Sequence, residues 1–145
     1  LDELLAGVLE VQRPHFEEKG VGLLSDLAAA ELPVLADAER LTQVFTNLLV
    51  NALNYTGAGG TVCLSLRREG AEAVAEVQDS GVGIDAESLK HVFEPFFRAH
   101  LGTQRGTGLG LTIAREIVEA HGGSIAAQSE VDVGTRMIVR LPLAQ

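Results

Sequence analysis

The sequence predicts an α+β fold: a two-layer α/β sandwich with a mixed, mainly antiparallel sheet covered on one face by helices. Two observations carry the prediction. Three segments place apolar residues at helical spacing, and the short alternating segments between them fall into hairpin-like pairs joined by Gly-containing turns. Helices kept apart from paired strands indicate α+β packing rather than a repeated strand-helix-strand unit.

Leu1, Leu4, Leu5, Val8 and Val11 define the first helix, which runs through Glu17, Glu18 and Lys19 to a stop at Gly20. Val21, Leu23, Ser25 and Leu27 then alternate with smaller or polar residues and predict a short strand. The clearest element follows. Asp37 can cap a helix in which Leu41, Val44, Phe45, Leu48, Leu49 and Ala52 share one face, ending near Gly57.

The glycine-rich run Gly57 to Gly60 leads into Val62, Leu64 and Leu66, a turn at Glu69-Gly70, and Ala73 to Gln78, which together read as a hairpin. A short helix is expected near Ala86 to Val92, then a mobile loop from Glu94 to Gly106. Gly106 to Gly110 opens a third long helix through Leu111, Ile113, Ala114, Ile117, Val118 and His121 to the stop Gly122-Gly123. Two final strands, Ser124 to Ser129 and Thr135 to Leu143, are joined by a turn near Asp132 to Gly134.

With 145 residues, the chain reads as a single domain spanning residues 1–145. A chain of that size buries roughly 70% of its unfolded surface. Hydrophobic residues make up 46% and aromatic ones 4%, so the core must be mostly Leu, Val, Ile and Ala. A net charge of -9 repels phosphate backbones and anionic lipid heads, so neither nucleic acid nor a membrane surface is an expected partner. One cysteine, Cys63, excludes an internal disulfide and makes a cytoplasmic setting the expectation. The chain opens at Leu1 rather than Met and is expected to be an excised or processed piece, with any membrane anchor of the full-length protein outside it.

Four groups carry chemistry. Gln43, Asn47, Asn51 and Asn54 line one face of the second helix, followed by Tyr55. Asn is a poor interior helix residue, because its carboxamide competes with the backbone for hydrogen bonds. Either the stripe is a solvated face, or its oxygens serve a hard cation such as Mg²⁺. Asp79-Ser80-Gly81-Val82-Gly83-Ile84 follows a strand end, where a carboxylate can accept from an adenine amino group while bare backbone lets the ring approach; an ordinary turn is the other reading. Phe93-Glu94-Pro95-Phe96-Phe97-Arg98 can anchor the mobile loop, with Arg98 and Arg105 available to phosphates.

The fourth group, Gly106-Thr107-Gly108-Leu109-Gly110-Leu111, heads a helix whose N–H groups and dipole suit phosphate. Tight helix packing is the alternative. A Walker motif would need Lys where Leu111 stands, and a dinucleotide fingerprint would need different glycine spacing.

In chain order the four groups resemble the N box, the first G box, the F box and the second G box of the sensor histidine kinase catalytic domain, within the superfamily of gyrase, Hsp90, MutL and histidine kinases. The likeness covers residues 37–143, including His121-Gly122-Gly123-Ser124-Ile125, Gly134-Thr135 and Leu141-Pro142-Leu143. It implies a sandwich with a mobile ATP lid. It implies further that Asn51 ligates Mg²⁺, that Asn47 sits beside the phosphates as the catalytic position, and that Asp79 binds the adenine amino group. Tyr55, Gly81, Gly83 and Ile84 would line the base, with Thr135 a candidate on that side. Gly106, Thr107, Gly108, Leu109, Gly110 and Leu111 would border the phosphates, joined by Arg98 and Arg105. Asn54 departs from the pattern, since a basic residue is common there; the lid arginines would supply that contact.

Hydrolysing branches of the superfamily typically carry Glu at the position of Asn47, and a carboxamide is no general base. Phosphoryl transfer to an imidazole on another domain is the implied chemistry. None of His15, His91, His100 and His121 is followed by an acidic residue, so none resembles the family's acceptor. The implied partners are ATP, the dimerisation and acceptor-histidine domain of the same kinase, and a downstream response regulator. The helix at residues 1–20 would continue from that missing upstream segment. An anti-sigma-type protein serine kinase and a non-catalytic nucleotide-binding regulatory module are the rival readings.

Overall fold

The computed structural model describes residues 1–27, 32–95 and 110–144. Helix α1 spans Asp2–Lys19 and is closed by Gly20 in the left-handed conformation, φ +78°. Strand β1, Gly22–Asp26, follows. Helix α2, Ala38–Tyr55, starts where the Asp37 carboxylate accepts the Glu39 and Arg40 N–H groups, the cap its sequence indicates. Strands β2, Thr61–Glu69, and β3, Glu72–Asp79, form the hairpin, so the turn falls at Gly70-Ala71, one residue later than read from sequence.

Helix α3 is one turn, Ala86–Leu89, rather than a helix reaching Val92. The Asp85 carboxylate caps it from Ser88 N–H at 2.7 Å, and irregular turns follow. Helix α4 spans Gly110–Ala120, and strands β4, Ser124–Glu130, and β5, Gly134–Pro142, close the chain.

The sheet order is β1-β2-β3-β5-β4, with β1 parallel to β2 and the other pairs antiparallel, as a mixed, mainly antiparallel sheet requires. Alternation sorts its residues onto two faces. Val62, Leu64, Leu66, Ala73, Ala75, Val77, Met137, Val139 and Leu141 are buried in one core with the apolar stripes of α1, α2 and α4. The stripe read from α2, Leu41 to Ala52, is entirely buried. Each such Leu, Val or Phe contributes about 1.5–3 kcal/mol relative to exposure.

The opposite face is polar. Arg67 and Arg136 both pair with Glu76, at 3.0 and 2.7 Å. Burial opposes the Glu76 charge, and the two guanidiniums outweigh it, holding that carboxyl below its ordinary range. Among the described residues, no helix is long and apolar enough to cross a membrane.

Candidate functional site

The register of the sheet places Asp79 of β3, Thr135 of β5 and Ser129 of β4 side by side across three strands. Asp79 and Thr135 are buried. The Asp79 Oδ1 accepts from Gly81 N–H at 2.9 Å and from Thr135 N–H at 3.2 Å. Burial pushes the Asp79 carboxyl above its ordinary range, and the two N–H groups offset part of that push. An acidic side chain held out of water at a strand end is suited to a specific partner.

The turn after Asp79 is held from both sides. Val82 N–H donates to Tyr55 O at 3.2 Å, and Val82 O accepts Asp132 N–H at 2.9 Å. Ile84 N–H donates to Ser129 Oγ at 2.7 Å. Glycine is required at both positions flanking Val82. A Cβ on Gly81 would stand 2.2 Å from Tyr55 O, and one on Gly83, at φ +74°, would stand 2.2 Å from Glu130 O. This close approach seats the turn on α2 and on the β4-β5 hairpin.

Tyr55, Ile84 and Val92 form a small apolar cluster apart from the main core, with Leu89, Phe93, Leu111 and Ala127 packed on it. Leu111, expected at the phosphate border, thus sends its side chain toward the group expected to line the base. Asn47, Asn51 and Asn54 are half-buried on α2. The Asn47 Nδ2 donates to Gly110 O at 3.1 Å, which brings the first residue of α4 against the carboxamide row.

Arg98, Arg105, Gly106, Thr107, Gly108 and Leu109, with the proposed lid, lie outside the described residues. The residues on either side of that segment are tied together. Thr112 Oγ1 donates to Phe93 O at 2.8 Å, and the Arg115 guanidinium lies 5.8 Å from the Phe93 ring centroid.

Sequence reasoning missed Ser129. It reads as the polar end of a strand, yet alternation puts it on the same face as the partly buried Ile125 and Ala127, and an inward hydroxyl signals a specific partner. It also missed what His121 does. Its Nε2 accepts Asp37 N–H at 3.1 Å while Nδ1 contacts Ile117 O at 2.8 Å. A carbonyl oxygen only accepts, so the contact with Ile117 O is donated by Nδ1–H. His91 stands between Glu87 and Glu94 on the surface. Among the described residues no group of three His, Cys, Asp or Glu is arranged to hold a metal ion.

A buried strand-end carboxylate, followed by a turn bonded to the end of a carboxamide-bearing helix, on a helix-covered mixed sheet, marks the candidate site of this α+β domain. The model of the histidine kinase-, DNA gyrase B- and HSP90-like ATPases matches residues 36–145, and the chain belongs to this family. It is 36% identical to the sensor protein RprX of Bacteroides fragilis over 147 residues, covering 98% of this chain and 28% of RprX. The catalytic domain of histidine kinase ThkA, in a nucleotide-free form, superposes with a TM-score of 0.87 at 31% identity, covering 98% of this chain and 91% of that one.

Full-length ShkA in complex with AMPPNP has a TM-score of 0.86 at 30% identity, covering 99% of this chain and 30% of ShkA. ThkA in complex with the response regulator protein TrrA matches at a TM-score of 0.83 and 28% identity, covering 99% of this chain and 40% of that one. The chain thus spans under a third of RprX and of ShkA.

Proposed function

We propose that this chain is the catalytic domain of a two-component sensor histidine kinase, which binds Mg-ATP and donates the γ-phosphoryl group to a histidine on the kinase's own dimerisation domain. The observation that supports the reading is that α2 is bonded both to the head of α4 and to the turn after Asp79. Its carboxamide row meets the head of α4 through Asn47 and Gly110, and its C-terminal Tyr55 meets the Asp79 turn through Val82. One helix thereby spans the distance from a base-reading carboxylate to a phosphate-suited helix entrance.

In this reading Asp79 accepts from the adenine amino group, Tyr55, Gly81, Gly83 and Ile84 enclose the ring, and Thr135 borders it. Asn54, Arg98, Arg105 and the segment Gly106 to Leu111 serve the phosphates. Asn51 fits a magnesium ion: its neutral carboxamide oxygen is a hard ligand, half-buried on the row that Asn47 shares. When bound, the ion neutralises charge on the triphosphate. Asn47 positions and does not abstract a proton, so an external imidazole is the acceptor and water is not. The AMPPNP bound to ShkA and the response regulator bound to ThkA support ATP as donor and a response regulator as the onward partner.

The test is titration with ATP and GTP, each with and without Mg²⁺, then incubation with a supplied acceptor-helix domain. The reading requires preference for ATP, tighter binding with Mg²⁺ and an acid-labile phosphoprotein. An acid-stable product would indicate a serine kinase, and binding without transfer a regulatory module.

A further inference from the structure

Ser129 makes three contacts from one hydroxyl. Its Oγ lies 2.7 Å from Ile84 N, 3.0 Å from Gly134 O and 2.7 Å from Thr135 Oγ1. A hydroxyl has one proton to give and two lone pairs to receive. Ile84 N–H can only donate, which occupies one lone pair. Gly134 O can only accept, so that contact is a hydrogen bond only if Ser129 spends its proton there. The remaining lone pair then takes the Thr135 proton. The opposite assignment, with Ser129 donating to Thr135, leaves Ser129 Oγ and Gly134 O 3.0 Å apart with no proton between them.

Thr135 therefore has its only proton committed and offers lone pairs alone. Beside it, at the paired position on β3, the Asp79 carboxylate is also an acceptor. Adenine carries a donating amino group where guanine carries an accepting carbonyl. Acceptors facing a carbonyl repel it and leave it unpaired, the kind of mismatch that discriminates strongly between ligands of the same shape.

We propose that Ser129 is a specificity-determining positioning residue, which holds the Thr135 hydroxyl as an acceptor so that, with Asp79, the edge of the pocket selects adenine and rejects guanine. The inference rests on the adenine reading of this site. Ser129 touches no base itself. It acts by fixing the direction of a neighbour's hydrogen bond, while its contact with Ile84 N–H ties that neighbour to the turn after Asp79.

The test is the ratio of ATP to GTP affinity in the wild type, Ser129→Ala, Ser129→Thr, Thr135→Val and the double variant Ser129→Ala/Thr135→Val, each checked for an intact fold. Freeing the Thr135 proton lets it turn toward a guanine carbonyl, so Ser129→Ala is expected to lower the ATP:GTP ratio roughly tenfold, the scale of one hydrogen bond. Ser129→Thr keeps the hydroxyl and keeps the ratio. With Val at 135 there is no hydroxyl to orient, so adding Ser129→Ala changes the ratio no further. A folded Ser129→Ala protein with the wild-type ratio overturns the proposal, as does an undiminished drop in the Val background. Should Ser129→Ala not fold, Ser129→Cys, near in size and a poor acceptor, is judged by the same criteria. A wild-type protein with no preference for ATP would instead remove the adenine reading beneath the proposal.

Discussion

Asn47 of α2 and Gly110 of α4 are joined by a 3.1 Å hydrogen bond from Nδ2 to the glycine carbonyl. At the other end of the same two helices, His121 Nε2 accepts the Asp37 N–H. Asn47 follows Asp37 by ten positions and His121 follows Gly110 by eleven, so the antiparallel helices are pinned at both ends of nearly equal spans. The pin at Gly110 lies at the proposed phosphate end of the site, and the pin at Asp37 lies at the start of the helix that bears the carboxamide row.

Asn47→Asp should therefore disturb more than the carboxamide row. The substitution removes the donor and sets a carboxylate against the Gly110 carbonyl, costing about 1–3 kcal/mol of stability. Urea denaturation measures that loss. ATP affinity should fall with it, because the head of α4 is no longer held beside the row. Unchanged stability would show that the bond is not kept in solution.

Gly83→Ala and Gly59→Ala separate backbone strain from collision. Both glycines have positive φ, +74° and +89°, but a Cβ at Gly59 meets nothing within 4 Å, whereas one at Gly83 meets Glu130 O at 2.2 Å. Each substitution carries the left-handed penalty of roughly 1–2 kcal/mol. Gly83→Ala should cost about 2 kcal/mol more in chemical denaturation and abolish nucleotide binding, as the turn lifts from the β4-β5 hairpin. Equal losses at the two sites would refute this account of the glycine.

Much of this was legible in the chain because local chemistry wrote it. The apolar stripe of α2, its Asp37 cap and the Gly20 stop of α1 are short-range signals, and all three are realised. The class of sheet followed from hairpin spacing, but the insertion of β5 between β3 and β4 is a long-range pairing that no local pattern encodes. The carboxamide row and Asp79 were visible as residue types out of place on their elements. Ser129 was not singled out, because its role depends on Ile84, 45 residues away in the turn after Asp79, and on Gly134 across the β4-β5 hairpin, partners that only the folded chain brings to it. The bond at His121 was hidden for the same reason: Asp37, 84 residues away, supplies the N–H that its ring accepts.

Asn51→Ala tests the metal assignment. If Asn51 supplies the protein's oxygen to the cation, the variant should bind ATP with the same affinity with and without Mg²⁺, while the wild type binds more tightly with it. Calorimetric titration in magnesium and in chelator gives both numbers. Asn54→Ala is the control on the same row and should keep the magnesium effect. A magnesium effect that survives in Asn51→Ala would move the ligand elsewhere.

Asp79→Asn should weaken ATP binding and strengthen the empty fold. On the binding side, losing a charge-assisted hydrogen bond to the base costs at least about 1.5 kcal/mol. For stability the sign is the reverse of the usual carboxylate case. Burial raises the Asp79 carboxyl pKa in the folded state, so folding favours the protonated form. That contribution is fully present below the ordinary carboxylate pKa and is lost as pH rises through the raised folded value. Above that value the wild type carries a buried charge that Asn avoids, while the Asn Oδ1 still accepts from Gly81 and Thr135 N–H. Without nucleotide, the Tm of Asp79→Asn should exceed that of the wild type at neutral pH, and the gap should close as the medium is acidified below the ordinary carboxylate range. With saturating ATP the order should invert, because ligand binding stabilises only the protein that still binds it. A variant less stable than the wild type at neutral pH without ATP would mean that the buried carboxylate supports the fold rather than the ligand.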